Sequence, residues 1–496
     1  MSGRSRWPSL VVAVVAATAI AGIPPGAGVA APEPGPVAAA RVTPQLDTQV
    51  SFPTRTVRDA DGDTLLADAS GRALQLHGAN LGKTDDITEQ DVADLGAAGF
   101  TLLRLPIQWS KLEPTQGGHD AAYLQHIEDV LAWADRYGLL VIVDWHQDVY
   151  GPYFPGFDGA PEWTTRTDGK VFTPDPGNWF NNYFDPAVTA AFTHLWNDPD
   201  LRQAQVDAWT YLAEQLAGSP ALLGYDLFNE PMWTSSDFDV NELPAMYGRV
   251  IAGIRTVDQR SWLWIEPTVL VGEGLPTGLP DIDDPRHGAD RIGYAPHAYS
   301  TSVEDGGDFD VSSGWVASYE SLITEYPREH HLPVIIGEWG PVAANADHPG
   351  NVVLVARQTA SFARFATGWA IWYGCRSADG GGYCLFSDAA GHIDPGRAAA
   401  ARPYPLVLGG RAVAEQAGPG RYQLRYRPSG GTTTQVVVPS GFADHPVVSL
   451  TDARGHRVDA RVTVSAPTRT GARTVTIRPR GPVASTWTLR VGRHPA

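Results

Sequence analysis

The chain has 496 residues, a formal net charge of −18 and a sequence pI near 5.1. This negative charge argues against a nucleic-acid partner, because the surface would repel its phosphates. The length accommodates a barrel of about 250 to 400 residues and one smaller unit. Sixteen tryptophans and seventeen tyrosines are many for this length, and their flat faces suit sugar rings as well as core packing.

The first 48 residues have the pattern of an export signal followed by a linker. Arg4 and Arg6 precede an apolar stretch over residues 10–23, and a run of small residues ends near residue 30. We assign residues 1–30 to a secretory signal peptide, since the apolar stretch is too short to cross a bilayer comfortably. Residues 31–48 are rich in Pro, Ala and Gly and are assigned to a linker. We therefore expect a secreted, extracellular protein.

Cys375 and Cys384 are the two cysteines of the chain and lie nine residues apart. In an oxidising compartment such a pair favours a disulfide over two free thiols. Two cysteines alone do not supply the four ligands of a structural zinc site. We predict a disulfide between Cys375 and Cys384.

Residues 49–403 alternate between strand and helix patterns after an initial predicted hairpin. Eight apolar runs predict buried strands: LQLHGAN, TLLRLPIQW, LLVIVDWHQ, LLGYDLFNE, WLWIEP, RIGYAPHAY, PVIIGEWG and GWAIWYGC. Helical patterns lie between them at residues 88–99, 120–137, 206–218, 243–258, 316–329 and 351–366. Strands that alternate with helices predict parallel βαβ units, and eight such strands close a TIM barrel.

Two regions depart from this alternation. Residues 148–189 are rich in aromatic side chains, have little periodicity and follow the third strand, so we expect an insertion that walls a substrate cleft. From residue 404 onwards, period-two patterns such as RYQLRYR and RTVTIRP are joined by Gly and Pro turns. The predicted fold is therefore an α/β TIM barrel over residues 49–403, followed by an antiparallel β-sandwich over residues 404–496.

Two of the predicted barrel strands stop at a glutamate. LLGYDLFNEPMW presents Glu230, and VIIGEWG presents Glu338. All strands of a parallel barrel point the same way, so both carboxylates emerge at its carboxyl-terminal face. Across a glycosidic bond, one carboxyl can donate a proton while the other acts as nucleophile, about 5 Å away if configuration is retained. We assign Glu230 as the acid/base and Glu338 as the nucleophile.

Three further residues could support these two carboxylates. Arg104, in the second strand, and Tyr299, after the sixth, are candidates to keep Glu338 ionised. A charge inside an apolar strand is costly to bury, which favours a site role for Arg104 over a structural ion pair. Asn229 precedes the acid and can offer its amide to a sugar 2-hydroxyl.

Other candidates end strands on the same face of the barrel. His146 ends the third strand and His297 the sixth, and we expect both to be substrate ligands rather than core histidines. Trp372 ends the eighth strand and could stack under a sugar ring. Glu266 also ends a strand, and we expect it to lie behind the side chains that contact substrate.

These motifs together resemble glycoside hydrolase family 5, whose members are retaining enzymes built on an eight-stranded barrel. They follow the order of that family: Arg104 in LLRLP, His146 in DWHQD, Asn229 and Glu230 in NEP, His297 and Tyr299 in HAY, Glu338 in IGEWG and Trp372 in AIWYG. The resemblance implies the same acid/base and nucleophile as above. We expect no cofactor and no metal.

A narrower resemblance is to endoglycoceramidases, through WHQDVYG, GAPEW, GYDLFNEP, RIGYAPHAYS, ARPYP and the terminal β-sandwich. It implies that Lys83, in HGANLGKT, reaches sugar hydroxyls, as Asp144 or Asp148 near His146 would do; we take Asp148 as the candidate. The resemblance also calls for an apolar rim that holds the lipid. Candidates for this rim are Tyr153, Phe154, Phe157, Trp179, Phe180, Met232 and Trp233.

The expected function is hydrolysis of the bond between glycan and ceramide in glycosphingolipids, by double displacement. The expected partners are this lipid and, peripherally, a membrane or micelle; we expect a monomer. One alternative is a family 5 endo-β-glycanase acting on cellulose-like or mannan chains, which predicts an open polar groove lined by Trp. Another is a non-catalytic carbohydrate or lipid binder, which would tolerate the loss of one carboxylate.

Overall fold

The computed structural model describes residues 50–83, 87–378, 381–429, 431–443, 445–481, 483 and 485–493. The predicted signal peptide and linker, residues 1–48, lie outside these ranges. Within the described ranges, no helix combines the length and the apolar character needed to cross a bilayer. The antiparallel hairpin expected at the start is formed by β1 (Arg55–Arg58) and β2 (Thr64–Ala67).

Eight parallel strands follow and form the predicted barrel. They lie in the order β8-β7-β6-β5-β4-β3-β10-β9, and a parallel bridge between Tyr294 and Val334 joins the two ends. The strands are β3 (Leu76–Asn80), β4 (Leu102–Ile107), β5 (Leu140–Trp145), β6 (Leu222–Asp226), β7 (Trp262–Ile265), β8 (Ile292–Tyr294), β9 (Ile335–Ile336) and β10 (Gly368–Ile371). The (β/α)8 prediction is confirmed.

Helices alternate with the barrel strands along the chain. They are α1 (Glu89–Ala97), α2 (Trp109–Leu112), α3 (Ala121–Tyr137), α4 (Pro186–Asn197), α5 (Pro199–Leu216), α6 (Glu242–Ile254), α7 (Val269–Gly272), α8 (Thr301–Glu304), α9 (Trp315–Ile323), α10 (Glu325–His330) and α11 (Pro349–Phe365). Short 3₁₀ turns occur at Glu162–Thr164, Trp179–Phe184 and Pro395–Arg397.

Local sequence explains where several of these helices begin and end. Thr88 and Asp91 form a capping box at the start of α1, and the Asp120 carboxylate accepts two backbone N–H groups at the start of α3. The single helix predicted over residues 316–329 is wrong, since it divides into α9 and α10 at Thr324. Pro327 lacks the N–H that would continue the hydrogen-bond ladder, which accounts for the break.

The C-terminal region is a β-sandwich, as predicted. Its inner sheet has the order β11-β14-β17-β16 and its outer sheet the order β12-β13-β18-β15. The strands are β11 (Tyr404–Val407), β12 (Gly410–Gly418), β13 (Arg421–Pro428), β14 (Thr434–Val438), β15 (Val447–Asp452), β16 (Ala460–Val464), β17 (Arg473–Pro479) and β18 (Trp487–Gly492).

The inner sheet packs against the amino-terminal end of the barrel. The backbone N–H of Gln75, just before β3, donates to the carbonyl of Leu406 at 3.0 Å, and that of Ser440 donates to Ala97 at 2.9 Å. Leu406 and Val437 also join the apolar cluster that fills the barrel interior. The opposite, carboxyl-terminal end of the barrel therefore stays clear of the sandwich.

Candidate active site

A cavity of about 310 Å³ opens at the carboxyl-terminal ends of the barrel strands. Both predicted catalytic glutamates line it, together with most of the predicted substrate ligands: Lys83, His146, Asp148, Asn229, Glu230, Tyr299, Glu338 and Trp372. Arg104 and His297 are buried directly beneath these residues. The ten residues predicted to act in catalysis or substrate binding are thus brought to one place.

Glu338 is held by one cation and one hydroxyl. Arg104 donates from NH1 to Glu338 Oε1 at 2.6 Å, and Tyr299 donates from its hydroxyl to Glu338 Oε2 at 2.9 Å. Both contacts are of the kind that stabilises a carboxylate anion. The local geometry therefore suits an ionised nucleophile at Glu338.

Glu230 lies in a different environment. Burial raises the pKa of its carboxyl, and the charges of Glu338 and Glu266 add to this effect, although the hydrogen bond with His297 opposes it. His297 Nδ1 lies 2.8 Å from Glu230 Oε1. A carboxyl with a raised pKa retains its proton closer to neutral pH, as a general acid must.

The backbone at Glu230 is strained and held from two sides. Its φ of +46° lies in the left-handed region, which costs a non-glycine residue about 1 kcal/mol or more. Its N–H donates to Glu266 Oε2 at 2.9 Å, and its carbonyl accepts from Gln147 Nε2 at 3.1 Å. Glu266 therefore lies behind Glu230 and fixes its backbone.

The two glutamates approach each other closely. One oxygen of Glu230, one of Glu338 and a ring nitrogen of His297 all lie within 4.8 Å of one another. Carboxyl groups about 5 to 5.5 Å apart are typical of glycosidases that retain configuration, whereas inverting enzymes leave room for a water between them. The separation agrees with direct attack on the sugar by one carboxylate.

Arg104 connects the nucleophile to the rest of the barrel floor. Besides Glu338, the guanidinium contacts Asp226 at 2.9 Å and Glu266 at 2.8 Å, and its NH2 donates to Asn229 Oδ1 at 2.8 Å. Asp144 also lies 3.0 Å away. Burial opposes the charge, but the surrounding carboxylates raise the pKa of Arg104 further above its already high value.

Acidic clusters at the site already contact side-chain cations. Asp144, Asp226 and Glu266 could together hold a metal ion, but the Arg104 guanidinium contacts all three of them. Lys83 plays the same part in a second cluster, where it pairs with Asp148 and lies 3.7 Å from Asp158. The donor sets thus fit the cations supplied by the chain itself.

A second wall of the cavity is built for polar contacts and stacking. His146 lies parallel to Trp372, with 5.7 Å between ring centroids, and Lys83 Nζ lies 5.7 Å from the centroid of the same Trp. Burial opposes protonation of His146, but Asp144, 2.7 Å away, raises its pKa to about 10. This wall offers cationic donors beside an aromatic face.

The aromatic insertion reaches the cavity, as expected. Phe157, Trp179 and Phe180 line it, and edge contacts continue the aromatic surface from Trp179 to Phe180 and on to Phe184. Trp233 packs against Phe184 at 5.6 Å. Trp179 and Phe184 are about half exposed, at 49% and 51%.

Two of the expected rim residues are placed differently. Phe154 and Met232 are 0% and 3% exposed, so they belong to the core and not to the rim. Phe184, which is not among the expected rim residues, lies on the exposed aromatic surface.

Four residues of the site were not found from the sequence: Gln147, Glu273, Glu304 and Tyr383. Glu273 and Glu304 line the cavity, and burial raises their pKa values to about 7 and about 8. Tyr383 donates its hydroxyl to Glu304. They lie in the segments that follow the fifth, sixth and eighth barrel strands, and that position was the available signal. Gln147 follows His146 directly in the WHQD motif.

The predicted disulfide is present between Cys375 and Cys384. It closes the segment that carries Tyr383, whose N–H donates to Val342 at 3.0 Å. The disulfide therefore lies beside the cavity.

Comparison with known proteins decides the family. Residues 67–374, more than half of the chain, match the family described as Cellulase (glycosyl hydrolase family 5). The chain belongs to glycosyl hydrolase family 5.

This family 5 chain is 30% identical over 266 residues to Endoglycoceramidase I of Rhodococcus hoagii, an alignment that covers 49% of this chain and 53% of that protein. The chain spans about half the length, or less, of the relatives it matches in sequence.

Among solved structures, Endo-glycoceramidase II from Rhodococcus sp. in a ganglioside GM3 complex is 26% identical, with a TM-score of 0.74 and coverage of 87% of this chain and 99% of that chain. Its lactosyl-enzyme intermediate is 27% identical, with a TM-score of 0.72, and covers 87% of this chain and 100% of that chain.

Proposed function

We propose that this family 5 protein is a retaining β-glycosidase that hydrolyses the bond between glycan and ceramide in glycosphingolipids. The observation that carries the proposal is the approach of Glu230 and Glu338 within 4.8 Å at the floor of a cleft with an aromatic rim. The similarity to endoglycoceramidases, one of them solved with ganglioside GM3, supports the choice of substrate.

In the first step, a Glu338 carboxylate oxygen attacks the anomeric carbon of the sugar attached to ceramide. The bond to the ceramide oxygen breaks while the Glu230 carboxyl gives its proton to that oxygen. The products of this step are free ceramide and a glycosyl ester of Glu338.

In the second step, Glu230, now ionised, removes a proton from a water molecule that attacks the same carbon. The ester bond breaks, Glu338 leaves as a carboxylate, and the glycan is released with its configuration retained. The lactosyl-enzyme intermediate solved for a similar enzyme supports this order of steps. The opposing environments of the two glutamates suit their two roles.

The remaining side chains of the cleft would contact different parts of the substrate. Lys83, His146 and Asp148 would bind sugar hydroxyls, with Trp372 as the stacking face. The aromatic surface from Trp179 to Trp233 would receive the apolar lipid. We further propose that the protein is exported, on the sequence pattern of residues 1–30.

The proposal is tested by incubating the full chain with glucosylceramide, galactosylceramide, a ganglioside and cellulose, and identifying the products. We expect intact ceramide and a free glycan whose anomer, followed by NMR, is initially β. The Glu338→Gln variant should release no ceramide. The control variant Glu329→Gln, at an exposed position, should release ceramide as the wild type does. Cleavage of cellulose without ceramide release would instead support the endo-β-glycanase, and an initial α-anomer would exclude retention.

A further inference from the structure

The two parts of the chain carry opposite charge. Residues 404–496 contain thirteen arginines, no lysine and four acidic residues, which gives a formal net charge of +9. Because the whole chain has a formal net charge of −18, residues 1–403 have a formal net charge of −27. A charge contrast of this size between two regions indicates that the basic one has an anionic partner.

The arginines of the outer sheet share one face. On β13 they alternate with inward-facing Tyr422, Leu424 and Tyr426, which are buried in the sandwich core. On β18 Arg490 lies opposite Gln423 of β13 and Ser449 of β15. The exposed members of this arginine face are Arg411, Arg421, Arg425, Arg427 and Arg490.

The arginine face has few carboxylates of its own. Among the described residues, Arg411 lies 3.9 Å from Asp61, and no acidic side chain forms an ion pair with Arg421, Arg425 or Arg490. Glu415 of β12 lies opposite Leu424 on the inward side of the sheet. The guanidinium groups of Arg421, Arg425 and Arg490 are therefore available to an external anion.

A groove of about 1010 Å³ runs beside this face. Its lining combines small and apolar residues with cationic, amide and hydroxyl side chains. The polar side chains are Arg421, Arg490, Arg493, Gln416, Gln423 and Ser449. Guanidinium groups bind carboxylates through two parallel hydrogen bonds, and amides and hydroxyls suit sugar hydroxyl groups. The single ring among the lining residues, Tyr422, is 2% exposed, so the groove lacks the stacking platform typical of single-stranded nucleic-acid sites.

The orientation of the arginine face favours a polymer over a bilayer as its anionic partner. The inner sheet contacts the amino-terminal end of the barrel through Leu406 and Ser440, so the outer sheet faces away from the barrel. The cleft lies at the opposite, carboxyl-terminal end. A bilayer bound to the arginine face would lie on the far side of the molecule from the cleft, whereas a polymer bound there leaves the cleft open.

We infer that the arginine face and its groove bind an acidic polysaccharide that bears carboxylate groups. This surface anchors the protein to an anionic glycan while the cleft remains free. The inference does not depend on the reaction proposed for the cleft.

The test measures binding of the full chain to polygalacturonate, with neutral dextran as the uncharged probe. We expect binding to polygalacturonate that weakens as salt increases, and none to dextran. The triple variant Arg421→Gln, Arg425→Gln, Arg490→Gln should weaken binding at least about tenfold. The far-UV circular dichroism spectrum and the thermal melt should stay unchanged, which shows that each variant is folded.

The matched control removes three exposed arginines from elsewhere in the sandwich: Arg454→Gln, Arg461→Gln and Arg478→Gln. It lowers the net charge equally and should change the affinity less than about twofold. Equal weakening by both triple variants would mean that overall charge, not this face, binds the polymer. Absence of binding, or tighter binding to phosphatidylglycerol vesicles or to DNA, would also overturn the inference.

Discussion

At the scale of single residues, Arg104 sets the charge balance of the cleft. It is 1% exposed and contacts Glu338, Asp226 and Glu266 within 2.9 Å. Its position in an apolar strand pointed to a site role, and the structure adds that it is also the centre of a buried ion-pair network. The site and structural interpretations of Arg104 therefore describe the same side chain.

Replacing Arg104 with Lys keeps the charge but loses the planar set of donors. We expect the free energy of unfolding to fall by about 3 kcal/mol, because buried carboxylates lose their partner. Activity should fall at least about 100-fold, since Glu338 loses its NH1 contact. Urea denaturation and kcat/KM measure the two effects. Arg364→Lys, at an exposed ion pair with Glu320, should cost less than about 1 kcal/mol; equal costs for both variants would contradict the argument.

The roles of the two glutamates can be distinguished by how the activity of each variant depends on the leaving group of the substrate. Glu338→Gln removes the nucleophile and should lower kcat at least about 10⁴-fold on every substrate. Glu230→Gln should lower ceramide release about 10² to 10⁴-fold. With p-nitrophenyl β-cellobioside, whose leaving group needs no proton, Glu230→Gln should give a burst of nitrophenol followed by slow turnover. If both variants behaved alike on this glycoside, the assignment of roles would be wrong.

At the scale of elements, loops after the barrel strands carry most of the site. The insertion after β5 contributes the exposed aromatic surface, and the segment after β10 contributes Tyr383 beside the disulfide. Loops can vary without disturbing the barrel, which explains why their ligands were harder to find from the sequence than those at strand ends.

Trp179→Ala tests the aromatic surface as a lipid contact. We expect KM for a ceramide glycoside in micelles to rise about tenfold, because roughly 1.5 kcal/mol of apolar burial is lost. The kcat/KM for p-nitrophenyl β-cellobioside should stay within about twofold. Val171→Ala is the control, because Val171 lies in the same insertion and is 82% exposed. A rise in KM for both substrates would assign Trp179 to the sugar instead.

The double variant Cys375→Ser, Cys384→Ser tests the segment after β10. Opening a loop of this length should lower the free energy of unfolding by about 2 to 3 kcal/mol. The KM of the substrate should also rise, because Tyr383, next to Cys384, donates to Glu304 at the cavity wall. Thermal melts and steady-state kinetics check both effects. Tyr383→Phe should reproduce the rise in KM with little loss of stability; unchanged kinetics in both variants would remove Tyr383 from the site.

At the scale of the whole molecule, His77 lies where the barrel meets the sandwich. Its ring stacks on Tyr404 of β11 at 3.6 Å and lies 4.4 Å from Trp369 of β10. Burial, together with the charge of Arg402, lowers the pKa of His77 well below 6.5. The folded protein therefore holds a neutral imidazole at this junction.

This buried imidazole predicts a loss of stability in acid. Below pH 6.5 the unfolded chain takes up a proton at His77 that the folded protein does not, so the free energy of unfolding falls as pH decreases. Below pH 6.5 this residue lowers the free energy of unfolding by about 1.4 kcal/mol for each pH unit. Above pH 6.5 the imidazole is neutral in both states, and this loss of stability is absent. His146, Glu273 and Glu304 have raised pKa values and contribute slopes of the opposite sign, but they contribute equally to wild type and to His77→Phe. The free energy of unfolding of His77→Phe relative to wild type, measured by denaturation between pH 5 and 7, should therefore rise as pH decreases. Exposed His287→Gln should leave the dependence unchanged; a wild-type slope in His77→Phe would contradict the assignment.

The sequence by itself determined the barrel, the sandwich and the two strand-end glutamates. These follow from local patterns: periods of 2 and 3.6 residues define strands and helices, and parallel strands must present their carboxyl ends on one face. The disulfide also followed, because the chain has only two cysteines.

Only the tertiary structure decided which side chains meet. Glu230 approaches Glu338 although they are 108 positions apart in the chain. Arg104 and Glu338 are 234 positions apart, and Glu304 and Tyr383 are 79 positions apart. Such contacts depend on loop paths and side-chain packing, which local periodicity does not encode. The arginine face likewise exists only because alternate residues of β12, β13 and β18 lie side by side in the folded sheet.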